Sequence, residues 1–145
     1  MTNEVYLDPS DANVIALFSR NISGEVAMLN LLRFRDVADY SAFPELAPAQ
    51  PISGREAYDR YIKHTMPFLT TSGGKLLYLG EGGNYLIGPE NRGWDLAMLV
   101  SQHSVQAFME FASNEAYIAG IGHRTAAVAD SRILPLTAPQ VPDVS

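Results

Sequence analysis

Two amphipathic helical stretches alternate with four apolar strand-length runs in the order β-α-β-β-α-β, with one more helix in front. That order is the split βαβ pattern and predicts a ferredoxin-like α+β domain built on an antiparallel sheet. The two central runs are apolar on both faces, so the sheet needs a covering layer beyond its own helices. A length of 145 residues, with 47% apolar and 18% charged side chains, fits a single globular domain over 1–145. Its core is expected over about 25–136, with a leading helix over 8–20 and an unstructured or arm-like tail over 137–145.

Residues 8–20, DPSDANVIALFSR, read as that leading helix: Asp8 can cap it, Pro9 suits the first helical position, and Val14, Ile15 and Phe18 share a stripe. Gly24 resets the chain. Residues 26–34, VAMLNLLRF, are too short for a lone buried helix and read as the first strand. Residues 35–52 carry Pro44, Pro48 and Pro51 without periodicity and predict a long loop, of the kind that serves as a lid or arm.

Ser53 and Glu56 match a capping box, so the next helix starts there. Ala57, Tyr61, His64 and Phe68 line one stripe of it, and Tyr58, Ile62, Thr65 and Leu69 the adjacent one. Pro67 lacks an N–H and should kink or end the last turn, with Gly73 and Gly74 supplying the left-handed exit.

Residues 74–79, GKLLYL, form the second strand, and the glycines at 80, 82 and 83 suggest a bulge or bend before the turn at 89–93. The third strand is 94–103. Ser104 can then cap a helix that buries Val105, Phe108, Met109 and Phe111. A second cap at Ser113 predicts a restart over 114–129, weakened by Gly120 and Gly122, and hence two short helices. RILPL, 132–136, is the last strand, where Pro135 cannot donate to a ladder and argues for a sheet edge.

A formal net charge of −6 opposes a phosphate backbone, which makes nucleic acid an unexpected partner. Without cysteine there is no disulfide, no thiolate nucleophile and no cysteine-ligated metal. Glu4 stands where a signal peptide needs positive charge, and no apolar run reaches the length of a membrane span. A cytoplasmic protein with no membrane partner is expected.

In the first strand Val26, Met28, Asn30, Leu32 and Phe34 face one way, and Ala27, Leu29, Leu31 and Arg33 the other. In the third, Trp94, Leu96, Met98 and Val100 oppose Ala97 and Leu99. Leaving Leu29, Leu31 and Leu99 wet would forfeit about 1.5–3 kcal/mol each. The economical cover is the same face of a second copy, giving a homodimer; the alternative is that the leading helix folds over that face.

The run VAMLNLLRF, the helix with Tyr58 and Tyr61, and Gly73-Gly74 before a strand resemble the family called domain of unknown function 1330. Ser104, Phe108, the 113–117 run SNEAY, Arg124 and Asp130-Ser131 follow in that family's order. The resemblance covers most of 25–136 and implies a dimeric α+β barrel. Related barrels include cofactor-free monooxygenases, lactone isomerases and haem proteins, so the resemblance assigns no chemistry and no catalytic residue.

The candidate catalytic residues are Asn30, Tyr61 and His64. Asn30 is an amide in an apolar strand, either the polar anchor of a small-molecule cleft or a satisfied structural amide. His64 shares its stripe with Tyr61 and Phe68 and is either a general base or a boundary histidine. Arg33, Trp94, His103 and Arg124 are candidate ligand-binding residues: the arginines can take a carboxylate, or Arg124 can tie the last helix to the last strand. Trp94 can stack on a ligand or fill core.

His64, His103 and His123 have none of the spacings of local metal sites, so no metal is expected. The glycine pairs at 80–83 and 120–122 are not nucleotide fingerprints. Three functions stay open. One is a cofactor-free enzyme acting on a small organic molecule, of monooxygenase or isomerase type, with Asn30 polarising an oxygen. The others are a non-catalytic small-molecule binder or sensor, and a structural dimer.

Overall fold

A computed structural model describes residues 4–138. Its elements are α1 (Asp11–Ser19), β1 (Val26–Phe34), a 3-10 turn (Pro44–Leu46), α2 (Gly54–Thr71), β2 (Lys75–Asn84) and β3 (Gly93–Gln102). They continue as α3 (Val105–Ala112), α4 (Glu115–Ile118), α5 (Ile121–Ala127) and β4 (Val128–Thr137). The strands form one antiparallel sheet in the order β2-β3-β1-β4, the ferredoxin-like arrangement, with β1 and β3 inside. Pro135 lies on the edge strand β4, where its missing N–H breaks no ladder. The expected tail beyond residue 138 lies outside the described residues.

Several boundaries differ from those read in the sequence. The cap of α1 is Ser10, whose side chain accepts from the Asn13 N–H, so Asp8 and Pro9 precede the helix instead of opening it. Helix α2, capped by Ser53, runs through Pro67 to Thr71. Proline so near the C-terminal end costs only one backbone bond, and the Thr71 hydroxyl takes up the Pro67 carbonyl. Strand β2 continues across its glycines to Asn84, and the irregularity in its pairing with β3 falls earlier, between Leu76 and Tyr78.

The cap after α3 is Asn114, not Ser113, its side chain accepting from the Ala116 and Tyr117 N–H groups. A break at Gly120 then divides the expected restart into α4 and α5. The 35–52 segment is fastened down and does not hang as a lid. Arg35 and Asp39 donate N–H bonds to Ala127 and Ala126, and Ala38 donates to Ile52. Gly54, at the foot of that segment, has no room for a Cβ: Ala127 O would lie at 2.7 Å and Arg35 N at 2.8 Å.

The core lies on one side of the sheet, where Leu32, Leu96 and Met98 meet Tyr58, Tyr61, Tyr117, Ala126 and Ala127. A smaller cluster joins Val26, Met28 and Val105, with Leu17 of α1 packed against it. Helix α1 therefore sits on the same side as the other helices and does not cover the opposite face. Across that helix-free face one apolar row crosses all four strands through the pairings Tyr78, Leu99, Leu29, Leu134. Its ends stand open, Tyr78 at 64% and Leu134 at 54% exposed.

Candidate functional site

The buried stripe of α2 positions Tyr58, Tyr61, Thr65 and Leu69 against the sheet. The Tyr61 hydroxyl lies 2.7 Å from that of Tyr117 on α4. One turn on, His64 Nε2 is 2.8 Å from the Ala116 carbonyl, which can only accept, so Nε2 carries the proton. Gly120 makes room for this imidazole, since a Cβ there would run into its ring. Tyr61 and His64 thus share a seam with α4, while the buried Asn30 donates from Nδ2 to Met28 O, 3.1 Å away in its own strand. Neither Tyr61 nor His64 is hydrogen-bonded to it among the described residues.

Of the candidate binding residues, the structure brings Arg33 and Trp94 together: the guanidinium lies 4.3 Å from the indole centroid. Alternation from Leu96 places Trp94 on the helix side, yet its ring meets side chains of the other face. The β1–β3 ladder ends at Leu32 and Leu96, so at Trp94 the strand is still paired with β2 through Gly83 but no longer with β1. His103 stands apart, beside Gly73 and Lys75 in a depression of about 560 Å³. Arg124 also stands apart, donating to Leu7 O at 2.9 Å and Ser131 Oγ at 3.2 Å, and so ties α5 to β4 and the N-terminal segment.

Around Arg33 the structure gathers groups that the sequence does not bring together with it. Asp130, 2% exposed, faces Arg33 at 3.1 Å, Arg132 at 2.6 Å and Arg92 at 3.8 Å. Its Oδ1 also accepts the N–H groups of Tyr6 and Ser131, both at 2.9 Å. Burial alone would raise the Asp130 pKa, but these donors, Arg132 above all among the side chains, outweigh it and hold the carboxyl below its ordinary range. Arg33 further donates to the Gly93 carbonyl through Nε and Nη2. The signal available in the sequence was alternation in β4, which puts Arg132 on the face of Leu134 and next to Arg33.

Burial raises the pKa of Tyr117, reinforced by Tyr61, so the Tyr117 hydroxyl serves as a neutral hydrogen-bonding group. His123, whose Nδ1 is 2.7 Å from the Tyr40 hydroxyl, has its pKa lowered by burial and then by the charges of Arg60 and His64. The unfolded chain then binds more protons than the folded one below about 6.5. Stability should be full above that pH and fall as the pH drops through the folded pKa. Urea unfolding over a pH series should show this slope, and His123→Gln should flatten it; an unchanged slope would assign it to another group.

The fold and this site define a ferredoxin-like α+β protein with an arginine-ringed carboxylate on the sheet. No family model matches the chain, and no curated protein does. Among solved structures, RPA0582, a protein of unknown function from Rhodopseudomonas palustris, is 34% identical with a TM-score of 0.79, over 96% of this chain and 100% of that one. The structure of the methylated RPA0582 protein gives 34% identity and a TM-score of 0.80, over 94% of this chain and 96% of that one. The chain belongs to the family of the RPA0582 protein.

Proposed function

We propose that the chain acts as a two-fold homodimer closed across its helix-free sheet face, and that the dimer binds a small organic molecule without converting it. The apolar row Tyr78, Leu99, Leu29, Leu134 supports the pairing, because no other layer of the chain lies over it among the described residues. Burying each of its leucines contributes about 1.5–3 kcal/mol, large beside a domain stability of about 5–15 kcal/mol. An isologous contact lets one patch cover itself. In sedimentation at micromolar concentration the wild type should have about twice the 15.8 kDa chain mass. Leu99→Asp should sediment as a folded single chain, and a folded wild-type monomer would overturn the pairing.

Binding without conversion is supported by how the candidate catalytic groups are engaged. His64 donates to Ala116, Tyr61 pairs with Tyr117 and Asn30 donates to its own strand, so no hydrogen bond joins the three into an acid–base relay among the described residues. A ligand that raises the melting temperature should be recovered chemically unchanged; its conversion would overturn the binding reading. A cofactor-free enzyme using Asn30, Tyr61 and His64 keeps one observation in its favour: Thr65 Oγ1, buried on the stripe of Tyr61, has no hydrogen-bond partner. Turnover lost in both Asn30→Ala and His64→Ala would bring the enzyme forward. Kinship with domain of unknown function 1330, supported by Asn114, Tyr117, Arg124 and Asp130-Ser131, and a cytoplasmic location belong to the same proposal.

A further inference from the structure

At the end of the helix-free face, past the apolar row, Arg132 is held in an unusual way. Its Nη1 is spent on Asp130 Oδ1 and the Ser131 carbonyl, at 2.6 and 2.7 Å. Its guanidinium lies 4.6 Å from the Tyr6 ring and 5.2 Å from the Trp94 ring. Through Nε and Nη2 it makes no hydrogen bond to any described residue, and the side chain is 39% exposed. Arg33, fixed by Asp130 and Gly93, lies on the same indole. Besides Asp130, Glu4 takes the Tyr6 hydroxyl, and Asp95 the Phe34 N–H at 2.8 Å.

A guanidinium presents its donors in a planar fork that matches the two oxygens of a carboxylate, and fixing one side of the fork in advance removes the cost of orienting it. An aromatic ring beside such a fork favours a ligand with a flat body that can lie on it. We infer that Arg132 and Arg33, backed by Trp94 and Tyr6, recognise the carboxylate of a small planar organic acid. The inference rests on the binding reading above and names the class of ligand.

Trp94 is the only tryptophan in the chain, so its emission reports on this place alone. Benzoate and its neutral counterpart benzamide are titrated into the full-length protein, with heat and Trp94 emission recorded. Benzoate should bind saturably and shift the emission, and benzamide should bind at least about tenfold more weakly, the loss expected for one charge-assisted contact. Arg132→Gln should weaken benzoate by a similar factor, and Arg132→Lys, which keeps the charge without the fork, should fall between.

Arg132 is part-exposed, so these variants should stay folded, which circular dichroism checks. Should Arg132→Gln not fold, the benzoate-to-benzamide ratio on the wild type decides alone. Equal binding of the two ligands, or undiminished benzoate binding by a folded Arg132→Gln, overturns the inference. So does a failure of benzoate to bind together with dissociation of the Arg132→Gln dimer, since the fork would then serve a carboxylate of the second copy. A parallel melting screen of neutral molecules separates the two failures: stabilisation by neutral compounds only defeats the carboxylate assignment, and stabilisation by none defeats the binding reading itself.

Discussion

Asp130→Asn should lower the unfolding free energy by about 3 kcal/mol, near the lower end of the range for removing one partner of a buried ion pair. The carboxylate is almost wholly buried, while Arg33, Arg92 and Arg132 are 26%, 34% and 39% exposed, so water relieves part of the charge left behind. Asparagine can still accept the Tyr6 and Ser131 N–H bonds through its amide oxygen, so the loss comes from the charge and from the acceptor that Arg33 had in Oδ2. Asp130→Ala removes those acceptors as well and should cost about 1–3 kcal/mol more.

The same geometry fixes a pH dependence. With the folded pKa of Asp130 below the unfolded value of 3.8, its contribution is complete above that pH and is lost as the pH falls through the folded pKa. Acid unfolding of wild type and Asp130→Asn should therefore converge at low pH. Equal stability of Asn and Ala variants in denaturant titration would mean that the backbone bonds to Tyr6 and Ser131 carry nothing.

Much of the fold could be read from residues that act locally. Ser53 and Ser104 as helix caps and Pro135 at a sheet edge are signals whose physics is settled within a few neighbours, and each stands in the structure in that role. Pro67 does not end α2, because the cost of a proline depends on how many intrahelical bonds remain beyond it, and near the end of α2 few do. Ser113 lost the cap to Asn114 because the longer amide reaches two N–H groups at once.

The candidate site was less legible because it is assembled across distant segments. Asp130 joins Arg33 on a neighbouring strand to Tyr6, which lies 124 residues away in sequence, and no local spacing encodes that meeting. Alternation placed Arg33 on the helix-free face, but it failed at Trp94, where the strand leaves its ladder with β1. His64 looked like a catalytic group from its stripe alone. Its proton is assigned by Ala116, a carbonyl in another helix whose position depends on the break at Gly120.

Tyr58→Ala should be the most damaging change in the core, costing about 3–5 kcal/mol, while Tyr58→Phe should cost less than about 1.5 kcal/mol. The side chain is 1% exposed, with its ring 5.2 Å from those of both Phe34 and Tyr61, so it joins the end of β1 to the buried face of α2. Its hydroxyl meets only the Met98 sulfur, at 3.9 Å, a weak acceptor whose loss matters little.

Tyr61→Phe is the informative contrast. It strips the partner from the buried Tyr117 hydroxyl and should cost about 1–3 kcal/mol although it deletes the same single atom. Denaturant unfolding should rank the three variants Tyr58→Phe, Tyr61→Phe, Tyr58→Ala in order of increasing loss. If Tyr58→Phe proved as costly as Tyr58→Ala, the helix–sheet seam would be held by a polar contact at Met98; the ring packing described here requires the opposite.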